Sequence, residues 1–107
     1  MKRPSKLGSV RTTVDGIAFH SKKEADRYSE LKLLERAGAI SDLALQPEFP
    51  IIINGKKVAK WIGDFRYSSY GSVVVEDVKS SFTRRDPYYR LKKKLVEAQY
   101  GIQVTET

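Results

Sequence analysis

The sequence contains no cysteine and a single histidine, His20. Disulfides, thiolate metal sites and cysteine nucleophiles are therefore excluded, and so is any site built from several histidines. Catalysis by this chain must rest on carboxylates, lysines and hydroxyls, and a bound metal should be a hard cation held by oxygen. Mg²⁺ fits that description, with Mn²⁺ as a substitute.

Long hydrophobic runs are also missing. The longest apolar stretches, at 51–53 and 73–75, span only a few residues, far fewer than the roughly 18 that a membrane-spanning helix needs. The charged N-terminal segment has no apolar segment behind it, which is not the pattern of a secretory signal. We therefore expect no membrane partner and a cytoplasmic location.

Acidic residues are outnumbered by basic ones, with 13 Asp and Glu against 20 Lys and Arg and a formal charge of +7 in 107 residues. Such an excess favours a polyanionic partner, most often nucleic acid. The share of hydrophobic residues, 40%, is typical of a folded globular protein. We predict a basic arm over residues 1–13, followed by one domain over residues 14–107.

Capping signals predict two helices. Ser21 and Glu24 have the spacing of a capping box, which opens a helix over residues 22–37. Asp86–Pro87 combines an N-cap residue with proline at the first helical position, and the helix that follows should end at Gly101.

Strand signals fill the rest of the chain. We predict a strand over residues 43–53 and a second over 58–67, joined by the hairpin dipeptide Asn54–Gly55. A third strand should cover residues 72–79, and a short last one 102–104. The predicted fold class is α/β, with a small mixed sheet flanked by helices in the order αβββαβ.

Two aspartates occupy facing positions of the second and third predicted strands. A symmetric loop at Tyr70–Gly71 places Asp64 directly opposite Asp77, with Cβ atoms about 5 Å apart, and puts Lys79 on the same face. Facing carboxylates destabilise a sheet by roughly 0.2–1 kcal/mol unless positive charge lies between them. A divalent cation supplies that charge; the alternative is an ordinary surface ladder in which Lys79 and Arg66 neutralise the pair.

Two further acids have two interpretations each. Glu76 falls on the other face of the hairpin, so it lies either at the rim or, through a bulge, on the acidic face. Glu24 either caps its helix or, at the head of the stripe with Tyr28 and Leu31, supplies a third carboxylate. The other face should form the core, because it carries apolar side chains: Trp61, Phe65, Tyr67, Val74 and Val78.

Together these residues resemble the PD-(D/E)xK nuclease superfamily, and more narrowly a family of short phage and prophage proteins assigned to it. The resemblance covers the chain from about residue 14 to the end. It rests on the following segments: Phe19-His20-Ser21-Lys22-Lys23-Glu24-Ala25, Gln46-Pro47, Asp64 and Asp77-Val78-Lys79. One position departs from the pattern, since Gly63 stands where proline often precedes the first aspartate.

The resemblance implies roles for five residues. Asp64 stands at the motif's aspartate, Asp77 at its D/E position and Lys79 at its lysine, with Glu24 at the helix acid found in many members. By that resemblance Asp64, Asp77 and the Val78 carbonyl hold Mg²⁺, and Glu24 orients a water or a second ion. Lys79 positions or deprotonates the attacking water and offsets charge on the phosphate.

Basic residues on the second predicted helix and just before it, with one on the first helix, are candidates for contacts to the DNA backbone. They are Lys22, Arg84, Arg85, Arg90, Lys92, Lys93 and Lys94. A solvated helix face is the alternative interpretation. Of the two tyrosines that open the second helix, Tyr88 is expected in the core and Tyr89 at the surface.

These observations lead to the expectation of a Mg²⁺-dependent DNA endonuclease encoded by a phage or prophage. Junction resolution is one candidate activity, and a homodimer is a candidate assembly. Two alternatives stay open: a nuclease-like nucleic-acid-binding module without catalysis, and a structural or interaction protein of a phage particle or replication complex. Branched DNA, linear duplex, single strands and RNA all stay open as substrates.

Overall fold

The computed structural model describes residues 11–78 and 85–107. Lys79 and Arg84 therefore lie outside the described residues, as do residues 1–10 of the predicted arm. By its internal contacts the chain divides into two compact units, Met1–Ala39 and Ile40–Thr107. Within the described part of the chain, no helix has both the length and the apolar character that crossing a membrane requires.

The first unit begins with a β-hairpin. Strands β1 (Thr12–Val14) and β2 (Ile17–Phe19) pair antiparallel. The two turn residues, Asp15 and Gly16, both have positive φ, 53° and 75°, which is the conformation of a tight type I′ hairpin turn. Because β1 starts at Thr12, the last two residues of the predicted basic arm already belong to a strand.

Helix α1 (Lys22–Arg36) follows the hairpin. Ser21 caps it, since its Oγ accepts a hydrogen bond from the Glu24 N–H at 3.1 Å, and this confirms the predicted start. The buried stripe includes Tyr28 and Leu31, at 5% and 0% exposure, whereas Leu34 is 39% exposed. The buried stripe of α1 therefore ends at Leu31.

The second unit contains six strands and one helix in its described residues. They are β3 (Ser41–Leu45), β4 (Glu48–Ile53), β5 (Lys56–Ile62), β6 (Phe65–Ser69), β7 (Ser72–Asp77), α2 (Pro87–Tyr100) and β8 (Val104–Glu106). One sheet has the strand order β3-β6-β7-β8, with β8 parallel to β7 and the other neighbours antiparallel. This mixed sheet with helices confirms the predicted α/β fold class.

The predicted order αβββαβ is reproduced by α1, β3, β6, β7, α2 and β8. The four remaining strands form two separate hairpins, β1–β2 and β4–β5. Two predicted strands are each wrong in one respect: 43–53 is interrupted at Gln46–Pro47, and 58–67 at Gly63–Asp64. The two interruptions bond to each other, as the Gly63 N–H donates to the Pro47 carbonyl and the Gln46 N–H to the Asp64 carbonyl, both at 3.0 Å.

Local signals at other element ends are confirmed. Asn54–Gly55 joins β4 to β5, and Asp86 caps α2 by accepting a hydrogen bond from the Tyr88 N–H at 3.1 Å. Gly101 ends α2 in the left-handed conformation, with φ 65°. The last strand starts at Val104 and not at residue 102.

The core of the second unit is formed by side chains from α2, the β4–β5 hairpin and one face of the mixed sheet: Phe49, Ile51, Trp61, Val75, Val96 and Val104. Val75 alternates with Glu76 along β7, so the other face of the sheet carries Glu76 together with Phe65, and both are buried. The sheet is thus buried on both faces, whereas we predicted one core face. Trp61 also lies on the face opposite to the predicted one, because the interruption at Gly63–Asp64 breaks the alternation between β5 and β6.

Candidate functional site

The candidate site lies where β6 begins and β7 ends. The observed register pairs Phe65 with Glu76, as the symmetric loop predicted. Asp64 precedes Phe65 and Asp77 follows Glu76, so both aspartates lie at the same end of this strand pair. The Asp64 N–H donates to the Glu76 carbonyl at 3.0 Å, which holds the two strands together up to the aspartates.

The Asp64 carboxylate is held at the end of β7. Its Oδ2 accepts a hydrogen bond from the Val78 N–H at 2.6 Å. The bond brings the carboxylate beside the Asp77-Val78 segment, which contains the two other predicted oxygen ligands.

Asp77 is fully buried, with 0% of its surface exposed. Parallel pairing of β7 and β8 places it beside Glu106. Tyr89 of α2 lies between these acids: its hydroxyl donates to Glu106 Oε2 at 2.8 Å and also interacts with the Asp77 carboxylate. The Lys93 ammonium lies 3.8 Å from Glu106 Oε1. The buried carboxylate therefore has a hydroxyl and a second carboxylate as neighbours, and an ammonium beyond them.

Sequence reasoning missed three of these neighbours, Tyr89, Lys93 and Glu106. A signal for the first two was present, because Tyr89, Lys93 and Val96 recur at helical spacing. We predicted instead that Tyr88 lies in the core. The structure shows the reverse, with Tyr89 7% and Tyr88 66% exposed. The prediction that Tyr88 is buried and Tyr89 exposed is therefore wrong.

Glu76 lies on the opposite face of the sheet from Asp77. It is 1% exposed, and its Oε2 accepts a hydrogen bond from the Tyr67 hydroxyl. The β6–β7 register shows no bulge. The alternatives of a rim position and of a bulge that moves Glu76 onto the acidic face are both wrong.

Glu24 caps its helix. Its Oε1 accepts a hydrogen bond from the His20 N–H at 3.0 Å, while its own N–H donates to Ser21. The carboxylate thus reaches one residue further back than the standard capping box, in which it bonds the N-cap residue itself. The capping interpretation is confirmed, and a role for Glu24 as a metal ligand stays a prediction.

The donors at the strand ends suit a hard cation. The Asp64 and Asp77 carboxylates and the Val78 carbonyl are oxygen ligands, the type that Mg²⁺ prefers. Over residues 11–78 and 85–107, no three Asp, Glu, His or Cys side chains lie close enough together to hold a metal ion. The described residues of the site therefore offer two carboxylates and one backbone carbonyl. Lys79, the predicted catalytic lysine, lies outside the described residues.

The basic residues of α2 do not share one environment. Arg90 and Lys94 are exposed, as the backbone-binding prediction requires. The Lys92 ammonium lies 5.4 Å from the centre of the Tyr88 ring. Lys93 differs from them, because its ammonium pairs with Glu106 of β8.

The remaining predicted contact residues lie before α2 or in the first unit. Arg85 is exposed, and Arg84 lies outside the described residues. The Lys22 ammonium is 2.9 Å from Asp26 Oδ2, and its side chain is 78% exposed. A surface pair of this kind is worth little, so it does not prevent Lys22 from contacting a phosphate.

The buried Tyr89 leads to a prediction about alkaline pH. Burial, the hydrogen bond to Glu106 and the nearby charge of Asp77 raise the pKa of Tyr89 above its ordinary value of 10.0. The folded chain keeps this proton at a pH where the unfolded chain has lost it. The free energy of unfolding should therefore fall as the pH rises above 10, and Tyr89→Phe should make that fall smaller.

Urea denaturation at about pH 8 and about pH 11 measures the effect. Tyr70→Phe is the matched control, because Tyr70 is 99% exposed and should leave the fall unchanged. An equal fall in wild type and Tyr89→Phe would show that Tyr89 is not the group responsible.

Comparison with known proteins identifies one family. Residues 4–106 match the family described as Protein of unknown function (DUF1064). Neither the curated proteins nor the solved structures contain a match. The family description names no activity, so the resemblance to PD-(D/E)xK nucleases stays a prediction. Because the match extends over nearly the whole sequence, the chain belongs to the DUF1064 family.

Proposed function

We propose that the chain is a metal-dependent endonuclease that hydrolyses phosphodiester bonds in DNA. The observation that carries this proposal is the placement of Asp64 and Asp77 at one end of the β6–β7 pair, with the Asp64 carboxylate bonded to the Val78 N–H. The sequence motif predicts that these two acids act together, and both lie at the same end of this strand pair.

The order of elements supports the same proposal. With the two hairpins set aside, α1, β3, β6, β7, α2 and β8 follow the αβββαβ order expected for the PD-(D/E)xK superfamily. Order alone is weak support, because one fold serves many functions. It adds to the argument here because the two acids fall at the strand ends where the motif requires them.

In this proposal Asp64, Asp77 and the Val78 carbonyl would hold Mg²⁺. When bound, the cation supplies polarisation of the phosphate and a lower pKa for the attacking water. The Val78 N–H orients the Asp64 carboxylate, and burial keeps bulk water from Asp77. Lys79 is proposed to offset negative charge that develops on the phosphate. Hydrolysis joins a water oxygen to phosphorus and breaks one phosphorus–oxygen bond, which leaves one phosphate end and one hydroxyl end.

Cleavage of supercoiled plasmid with Mg²⁺, with Mn²⁺ and with a chelator tests the proposal. We expect nicked or linear DNA with either cation and none with the chelator. A four-way junction, a flap and plain duplex, compared under the same conditions, identify the preferred DNA. Salt-sensitive binding without cleavage would contradict the proposal and favour a binding module, whereas neither binding nor cleavage would favour a structural or interaction protein. Phage origin, a cytoplasmic location and homodimer assembly remain separate predictions.

The exposed cations of α2 lead to a second measurement. Replacing Arg90 and Lys94 with glutamine should weaken DNA binding, and should lower the slope of log affinity against log salt by about 1.8, since each lost phosphate contact contributes about 0.9. Fluorescence anisotropy with a labelled duplex at several salt concentrations measures the slope.

The matched control for this experiment replaces Lys56 and Lys57 with glutamine. Both are exposed residues of the same unit, so the variant loses the same charge at a different place. An equal change of slope in the two double variants would show that the effect comes from net charge and not from contacts of α2.

A further inference from the structure

Large apolar side chains are exposed on the outward side of α2. Tyr88 is 66% exposed and Leu91, one turn further on, is 55% exposed. We call the surface formed by Tyr88, Arg90, Leu91, Lys92 and Lys94 the α2 outer face. Residues three positions apart on a helix are neighbours on its surface, so this ring and this leucine lie next to each other.

Positive charge surrounds these apolar groups. The Lys92 ammonium lies 5.4 Å from the centre of the Tyr88 ring. Arg90, Leu91 and Lys94, with Pro87, line an open hollow of about 310 Å³. The partner that fits is therefore both negatively charged and able to cover an apolar, partly aromatic surface.

The two acidic residues of this region, Asp86 and Glu97, each accept a hydrogen bond from a backbone N–H. Glu97, the acid within α2, accepts a hydrogen bond from the Val104 N–H at 2.8 Å, and Asp86 accepts one from the Tyr88 N–H. A second copy of the chain would bring like charges together on this face. A nucleic acid with unpaired bases instead brings phosphates to the cations and flat rings to the tyrosine.

The α2 outer face also lies close to the candidate site. Tyr88 is the chain neighbour of Tyr89, whose hydroxyl interacts with both Glu106 and Asp77. The first turn of α2 therefore contacts the site from one side and exposes Tyr88 on another. A nucleotide stacked on Tyr88 would therefore lie on the same helical turn that contacts the site through Tyr89.

We propose that the α2 outer face binds unpaired nucleotides of DNA by stacking on Tyr88, so that the protein selects DNA with single-stranded positions over continuous duplex. This inference rests on the proposed endonuclease function, because the selection would define the class of DNA that the enzyme cleaves. Stacking discriminates between the two forms because the bases of a duplex are already stacked on one another, whereas its phosphates remain available to the surrounding cations.

Binding without metal tests the stacking step. Labelled oligothymidine and a blunt duplex of equal length are titrated with wild type, Tyr88→Ala and Tyr88→Phe in a chelator, and anisotropy is recorded. We expect Tyr88→Ala to weaken oligothymidine binding by roughly 5- to 100-fold, as the loss of one stacked base does, and to leave duplex binding within twofold. Tyr88→Phe should bind like wild type, because it retains the ring.

Tyr70→Ala is the matched control, since Tyr70 is 99% exposed in the β6–β7 turn and should leave both affinities unchanged. Equal weakening of both DNAs by Tyr88→Ala, or no weakening of either, would overturn the inference. Polyglutamate serves as a third probe: Tyr88-dependent binding of polyglutamate without Tyr88-dependent binding of oligothymidine would overturn it in favour of an acidic protein partner.

Cleavage of a gapped or flapped duplex against an intact duplex, with Mg²⁺, separates this inference from the proposed function. Both hold if wild type prefers the gapped DNA and Tyr88→Ala loses the preference. Tyr88-dependent binding without any cleavage would support the stacking surface and contradict the endonuclease. Cleavage with a preference that Tyr88→Ala does not change would support the endonuclease and overturn the inference.

Discussion

Replacing Asp77 with asparagine should reduce Mg²⁺-dependent DNA cleavage by about 1,000-fold or more. A metal ion contributes several kcal/mol of transition-state stabilisation, and each 1.36 kcal/mol is tenfold in rate. Asparagine keeps the shape of the buried side chain but removes the charge that would hold the cation. The rate of plasmid nicking at saturating Mg²⁺ measures the loss, and thermal unfolding of the variant checks that it folds.

Asp64→Asn tests the proposed metal site independently of Asp77. Asp64 is only half-buried, and an amide oxygen can still accept the hydrogen bond from the Val78 N–H. We expect a similar loss of cleavage with little change in stability. Glu48→Gln is the control, since its carboxylate lies on the surface and pairs with Lys60 at 3.4 Å. Wild-type cleavage by a folded Asp77→Asn protein would contradict the proposed site.

Adding a side chain at Gly63 should destabilise the second unit. A Cβ there would lie 3.1 Å from the Trp61 ring and 3.3 Å from Val75 Cγ1, which is closer than ordinary van der Waals contact. Overpacking of this kind typically costs about 1–3 kcal/mol, so we expect that loss in the free energy of unfolding for Gly63→Ala. Urea denaturation measures it.

Gly63→Pro should cost more, about 2–6 kcal/mol, because it also removes the N–H that donates to the Pro47 carbonyl at 3.0 Å and leaves a carbonyl without that donor. Position 63 therefore accepts glycine and neither alanine nor proline. The close approach of the Trp61 ring requires a residue without a Cβ, and the bond to the Pro47 carbonyl requires a residue with an N–H.

A double-mutant cycle tests the cause assigned to Gly63→Ala. The contact atoms on Trp61 belong to the outer part of the indole ring, which phenylalanine lacks. In a Trp61→Phe background the cost of Gly63→Ala should therefore be smaller than in wild type. An equal cost in both backgrounds would show that the ring is not responsible.

The sequence alone predicted those features that depend on neighbouring residues in the chain. The start of α1 at Ser21, the turn at Asn54–Gly55 and the cap of α2 at Asp86 all follow from backbone groups that residues within a few positions satisfy. The β6–β7 register followed for the same reason, since a two-residue turn sets which residues of a hairpin face each other. The placement of Asp64 and Asp77 at one strand end was therefore accessible before the structure.

Which face of α2 is buried was decided only by tertiary contacts. The apolar side chains of Tyr88 and Leu91 are exposed. Tyr89 is buried, and its hydroxyl donates a hydrogen bond to Glu106 on the strand that follows the helix. Helical spacing shows which residues share a face of the helix. It does not determine which face packs against a hydrogen-bond partner from a distant part of the chain.

The division of the second unit's strands between the mixed sheet and the β4–β5 hairpin was likewise a tertiary outcome. The interruptions at Gln46–Pro47 and Gly63–Asp64, which separate these strands, hydrogen-bond to each other. The neighbours of Asp77 depend on the parallel pairing of β7 with β8, which joins segments far apart in sequence. Local backbone chemistry thus determined the elements and the aspartate pair. Long-range pairing determined the burial of Asp77 and its contacts with Tyr89 and Glu106, because those contacts form only when distant segments pack together.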